Sequence, residues 1–388
     1  MPEAKPIEVP RGLAGVVVTE TELGDVRGQE GFYHYRQYSA IDLAERRTFE
    51  DVWHLMTVGS LPDAATKAEF TRHTAALRRL PAEVRDALPG IARATGTAGP
   101  LAGLRTALSL LGAYAGFQPV YDIDEQQRRG DTTAACAVVP TLLTALHRLT
   151  DGQEPIEPRD DLPYAANYLY MLTGSEPEPD RARAVEQYLI STIDHGFNAS
   201  TFTGRVIAST GADVAACLVG AIGALSGPLH GGAPSRALDT LDAIGTPDRI
   251  DPWIRERVLA GDRIMGFGHA VYRTEDPRSR MLRGIAQRLA EGSGDESLVE
   301  FAVQVERRVL EILAELKPGR ELFTNVEFYA GVVMQLCGLP RTMFTPTFAA
   351  ARSVGWSANI IEQAADSKII RPAARYAGPP PPQPVPVP

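Results

Sequence analysis

Residues 265–278 read Met-Gly-Phe-Gly-His-Ala-Val-Tyr-Arg-Thr-Glu-Asp-Pro-Arg. This short span holds one histidine (His269), two glycines before it (Gly266, Gly268), an Asp-Pro turn signal and two arginines (Arg273, Arg278). Glycines let a backbone come close to a ligand and present its N–H groups. A histidine hydrogen-bonds or shuttles a proton near neutral pH, and arginine suits a carboxylate or phosphate. The loop is built to hold an anion beside a proton donor. The same residues also fit an ordinary Gly-rich turn, so the remainder of the chain has to decide.

The chain has 388 residues, 44% hydrophobic and 22% charged, an ordinary globular composition. That length accommodates two domains, or one large domain with a smaller companion. A net charge of -9, with no basic block anywhere, argues against a general nucleic-acid binder. Cys136, Cys217 and Cys337 stand far apart in apolar surroundings, which implies free thiols in a reducing compartment. The start lacks the apolar core of a signal peptide, and the longest apolar run, Val214 to Leu225, is too short and Gly-broken to span a bilayer. The expectation is a soluble, cytoplasmic protein without a membrane partner.

Outward from the loop, helix signals dominate. The first residues are Pro-rich and expected to be extended. Gly15 to Leu23 and Gly31 to Arg36 are β-branched or aromatic and predict a small N-terminal β-hairpin across a turn-like Gly24-Asp-Val-Arg-Gly-Gln29. Thr48 followed by Asp51 predicts a helix start, and a second helix is expected from about Asp63 to Leu80. Three stripes of 3.6-residue period follow: Val185, Tyr188, Leu189, Thr192 and Ile193; Ala215, Leu218, Val219 and Ile222; and Ala302, Val305, Val309, Ile312 and Leu316. Strands do not alternate with helices, so the fold class is mostly α. Glu291 to Glu296 reads as a surface loop, and the end from Gly378 as a polyproline-type tail.

Three histidines sit at the ends of helical stretches beside small residues: His195, His230 and His269. The other four (His34, His54, His73, His147) occupy ordinary amphipathic or strand positions and read as structural or surface groups. A zinc site lacks its His-x-x-His anchor, a serine hydrolase its Gly-x-Ser-x-Gly, and a dinucleotide site its third glycine. What remains is acid–base chemistry on an anionic substrate. Glu327, among apolar neighbours, is a candidate base whose pKa burial would raise. Arg352 and Arg371 lie downstream.

These residues carry a resemblance. The blocks Gly15-Val-Val-Val-Thr-Glu-Thr21, Asp194-His-Gly-Phe-Asn-Ala-Ser-Thr201, Gly227-Pro-Leu-His-Gly-Gly-Ala233, Met265 to Arg273 with Asp276-Pro-Arg278, Asn325-Val-Glu-Phe-Tyr329, and Phe344 through Trp356 to Arg371-Pro372 resemble, in order, those of the citrate synthase family. The resemblance spans nearly the whole length, and six blocks in register leave chance no serious part.

It implies a two-domain helical fold, with residues 1–232 and 339–388 forming the large domain and 233–338 the small one. The cleft between them would close on oxaloacetate before the thioester binds. The implied reaction is a Claisen-type condensation of acetyl-CoA with oxaloacetate, followed by hydrolysis to citrate and CoA. His230 would donate to the thioester oxygen, Glu327 take the methyl proton, and His269 hold and protonate the oxaloacetate carbonyl. His195, Arg278 and Arg352 would bind oxaloacetate, with Arg371 donated by the second subunit of a homodimer. Arg273, Gly266, Phe267 and Gly268 would contact CoA. Neither a metal nor a cofactor beyond the thioester substrate is implied.

Three departures stand out. Glu327 occupies a position where most of the family has Asp, adding roughly 1.5 Å of reach; the resemblance is to a bacterial branch with Glu here. Ala270 replaces an Arg found in many bacterial members. Asn359 replaces a usual His and reads as structural. The alternative functions are 2-methylcitrate synthesis from propionyl-CoA, since one methyl group is worth only about 1–3 kcal/mol in an apolar pocket, and a non-catalytic homologue that binds oxaloacetate or CoA.

Overall fold

The helix signals are realised almost throughout. The computed structural model describes residues 10–228, 230, 233–269 and 271–386, without the side chains of 233–236. The Pro-rich start up to residue 9 and the substituted position Ala270 lie outside the described residues. In chain order the helices are α1 (Ala40–Arg46), α2 (Phe49–Val58), α3 (Ala64–Ala76), α4 (Ala82–Thr95), α5 (Gly99–Ala115), α6 (Glu125–Thr150), α7 (Tyr164–Thr173) and α8 (Pro179–Thr192). They continue as α9 (Ala199–Ala208), α10 (Val214–Leu225), α11 (Ala233–Ile244), α12 (Ile250–Leu259), α13 (Pro277–Ala290), α14 (Glu296–Leu316), α15 (Val326–Leu336) and α16 (Phe344–Ala365).

Local chemistry explains several boundaries. The Asp51 N–H donates to Thr48 Oγ1 at 3.4 Å while the Asp51 carboxylate accepts from the Thr48 N–H at 3.2 Å, a reciprocal cap worth about 1 kcal/mol. Asp63 caps α3 one way, its carboxylate accepting the Thr66 N–H at 2.8 Å, although α3 ends at Ala76, short of the expected Leu80. The apolar stripes of α8, α10 and α14 face inward, with Val185, Tyr188, Leu189, Leu218, Ile222, Val305, Val309 and Ile312 all buried. Helix α16 is buried on nearly every side and packs against α2, α6, α8, α9 and α10, so it forms the axis of the core. A second group assembles from α11 to α15, in which α13 packs on α15 and α12 on α14. Among the described residues no helix is long and apolar enough to cross a membrane.

The N-terminal β structure differs from the expectation. It is a three-stranded antiparallel meander of β1 (Gly24–Arg27), β2 (Phe32–Tyr35) and β3 (Tyr38–Ser39). The segment expected as the turn supplies β1, with Val26 opposite Tyr33 and Asp25 opposite His34. The turn is Gly28 to Gly31, while Val16 and Val17, despite their β-branched side chains, are exposed and unpaired. Cross-strand packing against the buried Tyr33 and Tyr35 outweighs intrinsic propensity here.

Candidate active site

A cleft of about 500 Å³ is lined by His195, His230, His269, Arg278, Asn325, Glu327, Phe348 and Arg352, with Asp25 and Val26 of β1 on one wall. Six of the expected site residues, drawn from five separate segments, therefore meet in one place. Arg371 does not join them: it is exposed in the extended segment after α16, where the neighbouring Ile370 N–H donates to Ser209 Oγ at 3.0 Å. Arg273 is also exposed, its guanidinium turned back on the carbonyls of His269 and Tyr272 at 3.4 Å.

The loop before His269 serves the fold first. Residues 266–268 run antiparallel to 323–325, with the Gly268 N–H donating to the Phe323 carbonyl at 2.8 Å and the Asn325 N–H to the Gly266 carbonyl at 2.9 Å. A side chain at Gly266 (φ +89) would begin 2.9 Å from the Phe328 ring, which is why glycine stands there. The expectation that this stretch offers its amides to a ligand is corrected at Gly268, whose N–H is already engaged. The pairing instead fixes the start of α15 and hence Glu327.

Each histidine is oriented by the groups around it. His230 Nε2 lies 3.3 Å from the Ser200 N–H and 2.8 Å from Ser200 Oγ. A backbone N–H can only donate, so Nε2 is the bare nitrogen and Nδ1 carries the proton of the neutral ring. For His269 the assignment is reversed. Its Nδ1 accepts from the Val271 N–H at 2.9 Å and the Tyr272 N–H at 3.1 Å, which leaves Nε2–H as the donor. Burial, then the charge of Arg352, lowers the His230 pKa to about 4; burial, then Arg278, lowers that of His269 to about 4. His195 is pushed well below the ordinary imidazole value by burial, and its Nε2 meets Tyr272 Oη at 3.0 Å. All three rings are neutral at pH 7.

The arginines are held differently. Asp276 caps α13, expected only as a turn, and its carboxylate grips Arg278 through Nε at 3.0 Å and Nη2 at 2.8 Å while accepting the Arg278 and Val326 N–H groups. Arg352 spends Nε on the Thr192 carbonyl at 2.8 Å and lies 4.5 Å from the centre of the Phe348 ring. Both are almost fully buried, and their remaining N–H groups suit a dicarboxylate. Asp194, whose pKa burial raises to about 6 against the pull of Arg352, is the nearby countercharge.

The Glu327 N–H donates to Asn325 Oδ1 at 3.1 Å, but its carboxylate has neither a hydrogen bond nor an ion pair with a described residue. Burial raises its pKa to about 7, opposed first by Arg278. An unpartnered carboxylate poised near neutrality beside two neutral N–H donors and two guanidinium groups can abstract a carbon-bound proton while the donors carry the developing oxyanions.

Sequence reasoning missed Tyr272, Ser200 and Trp356, whose Nε1–H donates to Ser200 Oγ at 3.1 Å. All three act through partners distant in the chain, so no local pattern marks them. The other four histidines are as expected: His54 Nδ1 meets the Ser60 carbonyl at 2.7 Å, His147 faces Asp151, His34 meets the Arg36 carbonyl, and His73 is exposed. Asn359 is structural, bridging Arg205 and the Gly355 carbonyl.

Comparison with known proteins agrees with this geometry. The family described as "Citrate synthase, C-terminal domain" matches residues 12–373. The citrate synthase of Deinococcus radiodurans is 38% identical over 375 residues, covering 95% of this chain and 96% of the relative. Citrate synthase 2 of Bacillus subtilis is 36% identical over 369 residues, covering 95% and 96%. Citrate synthase from Thermotoga maritima superposes with a TM-score of 0.84 at 35% identity, covering 98% of both chains. The Thermoplasma acidophilum enzyme, solved as a ternary complex with carboxymethyl coenzyme A and oxaloacetate, gives 0.88 at 27% identity, covering 98% of this chain and 99% of that one. With a site of this geometry and relatives matched end to end, the chain belongs to the citrate synthase family of acyltransferases.

Proposed function

We propose that the cleft condenses acetyl-CoA with oxaloacetate and hydrolyses the citryl thioester to citrate and CoA. The observation that carries this reading is the unpartnered Glu327 carboxylate facing two histidines whose bare nitrogens are both occupied from behind. Glu327 takes a proton from the thioester methyl group. His230 Nδ1–H stabilises the enol oxygen, and His269 Nε2–H bonds the oxaloacetate carbonyl and delivers its proton as the carbon–carbon bond forms. Arg278, Arg352 and His195 hold the acceptor carboxylates and fix the attack geometry. Water then cleaves the thioester.

In this reading residues 233–338 form a small domain that closes on residues 1–232 and 339–388, Arg273 and residues 266–268 meet CoA, and a second subunit brings Arg371 to the acceptor. The homodimer, the cytoplasmic setting and membership of a branch using Glu as base belong to the same proposal. The test is oxaloacetate-dependent release of free CoA thiol, run in parallel with acetyl-CoA and propionyl-CoA. Release with acetyl-CoA in preference supports the reading; release with propionyl-CoA alone, or with neither, overturns it.

A further inference from the structure

The β-meander is doubly anchored beside the cleft. On one side Tyr33 Oη donates to the Ser191 carbonyl at 2.9 Å and Tyr35 Oη to the Ile190 carbonyl at 2.8 Å, which ties β2 to the end of α8, just ahead of His195. On the other side the Gly28 carbonyl accepts the Arg273 N–H at 3.0 Å, and the Gly28 Cα faces the Val271 carbonyl so closely that a Cβ would sit 2.2 Å from that oxygen. Val271 and Tyr272, bracketed by this contact, are the two residues whose N–H groups converge on His269 Nδ1. The Tyr272 hydroxyl in turn meets His195 Nε2 at 3.0 Å. The histidine rings, which belong to segments 74 positions apart in sequence, lie with centroids 5.5 Å apart.

We propose that Gly28 is a positioning residue for His269. The turn between β1 and β2, fixed to α8 by two tyrosines, presses the backbone of 271–273 into the one conformation in which both amides reach Nδ1. That holds the ring in the Nε2–H tautomer and at its distance from His195. Gly28 does this by lacking a side chain and offering a carbonyl, so it never touches substrate. Its φ is not in the left-handed region, so alanine would strain the contact with Val271 and not the turn itself. The proposal rests on the condensation reading for its kinetic readout only.

The test is Gly28→Ala beside a control in the same turn, Gln29→Ala, whose side chain is exposed. Two measurements are made on each: long-range proton–nitrogen correlation spectra of 15N-histidine-labelled protein at pH 7.5, and steady-state kinetics. Wild type and Gln29→Ala are expected to show His269 as a single tautomer with Nδ1 bare. Gly28→Ala is expected to show a mixture of tautomers, kcat lowered about 10–100-fold, and a KM for acetyl-CoA within about twofold of wild type, as expected when catalytic geometry changes without loss of binding. A Gly28→Ala protein that keeps the single tautomer overturns the proposal, whatever its activity. If that variant does not fold, Tyr33→Phe, which removes one anchor and leaves the turn intact, takes its place with the same spectral criterion. Wild-type protein without activity but with the single tautomer would count against the condensation reading and leave the positioning role standing.

Discussion

The backbone N–H of Ser200 donates to His230 Nε2 across 3.3 Å, and this one bond decides which nitrogen of His230 faces the cleft with a proton. Ser200 Oγ lies 2.8 Å from the same nitrogen, donates to Asn198 Oδ1 at 2.8 Å and accepts the indole N–H of the buried Trp356 at 3.1 Å. Ser200→Ala keeps the amide and therefore the tautomer, but loosens the ring and strands the indole N–H. The expected result is kcat lowered about tenfold and stability reduced by about 1–3 kcal/mol. Steady-state kinetics and chemical denaturation measure the two; an unchanged kcat would remove Ser200 from the site.

In the proposed condensation Glu327 works only when ionised, and burial raises its pKa to about 7. Activity as kcat/KM is therefore expected to rise with pH through about 7 and then level off. Glu327→Gln is expected to abolish thiol release while oxaloacetate still binds, as read by calorimetry. Glu327→Asp withdraws the carboxylate by one methylene and is expected to lower kcat about a hundredfold. Thiol release by the Gln variant at wild-type rate would assign the base elsewhere.

The same shift has a stability consequence of fixed sign. The folded protein holds the Glu327 proton more tightly than the unfolded chain, so its contribution is fully present below the ordinary Glu range and is lost as pH rises through about 7. Glu327→Gln should accordingly stabilise the fold above pH 8 by about 1–3 kcal/mol relative to its effect at pH 4. Denaturation midpoints at the two pH values give the difference, and an equal effect at both would contradict the raised pKa.

Asp276 is shared by four donors, three on Arg278 and one on Val326. Asp276→Asn keeps the shape but removes the charge that balances a buried guanidinium. Loss of a buried partner costs about 3–5 kcal/mol when complete; retained hydrogen bonds should hold the loss nearer the lower figure. The KM for oxaloacetate is expected to rise more than tenfold, since Arg278 and the N-terminus of α15 both lose their reference. A wild-type KM would show that Arg278 is positioned without Asp276.

Tyr188 carries a buried hydroxyl with no partner among the described residues, on the α8 face that feels the charge of Glu327. Removing an unsatisfied buried hydroxyl relieves about 1–3 kcal/mol of desolvation cost. Tyr188→Phe is expected to raise the denaturation midpoint. A lowered midpoint would mean that the hydroxyl has a partner in solution.

Much of the site was legible because its chemistry sits in short blocks. Thr48 with Asp51, and the period of α8, α10 and α14, announce themselves through contacts within a turn or two of helix. Arg278, His269 and Glu327 stand out by residue type and by their neighbours. Other features depend on the whole fold. β1 was hidden in a Gly-flanked stretch whose strand character comes only from pairing with Tyr33. Tyr272 gains its role from His195, and Ser200 from His230 and Trp356, contacts that no local period encodes. Arg371 lies exposed outside the cleft of its own chain, and nothing in its local sequence foretells that position.

At Gly355, on α16, a Cβ would fall 1.9 Å from the Ile193 carbonyl. The helix that carries Arg352 thus crosses the end of α8, next to Asp194 and His195, at bare backbone. For the divergence of this scaffold the consequence is an asymmetry. Any side chain at 355 drives two walls of the pocket apart together, so drift toward a new acceptor has no small first step there. The part of the lining formed by Val26 and Val271 can change one methyl group at a time. New substrate preferences should therefore enter through the sheet and its neighbouring loop, while the crossing of α8 and α16 stays as it is.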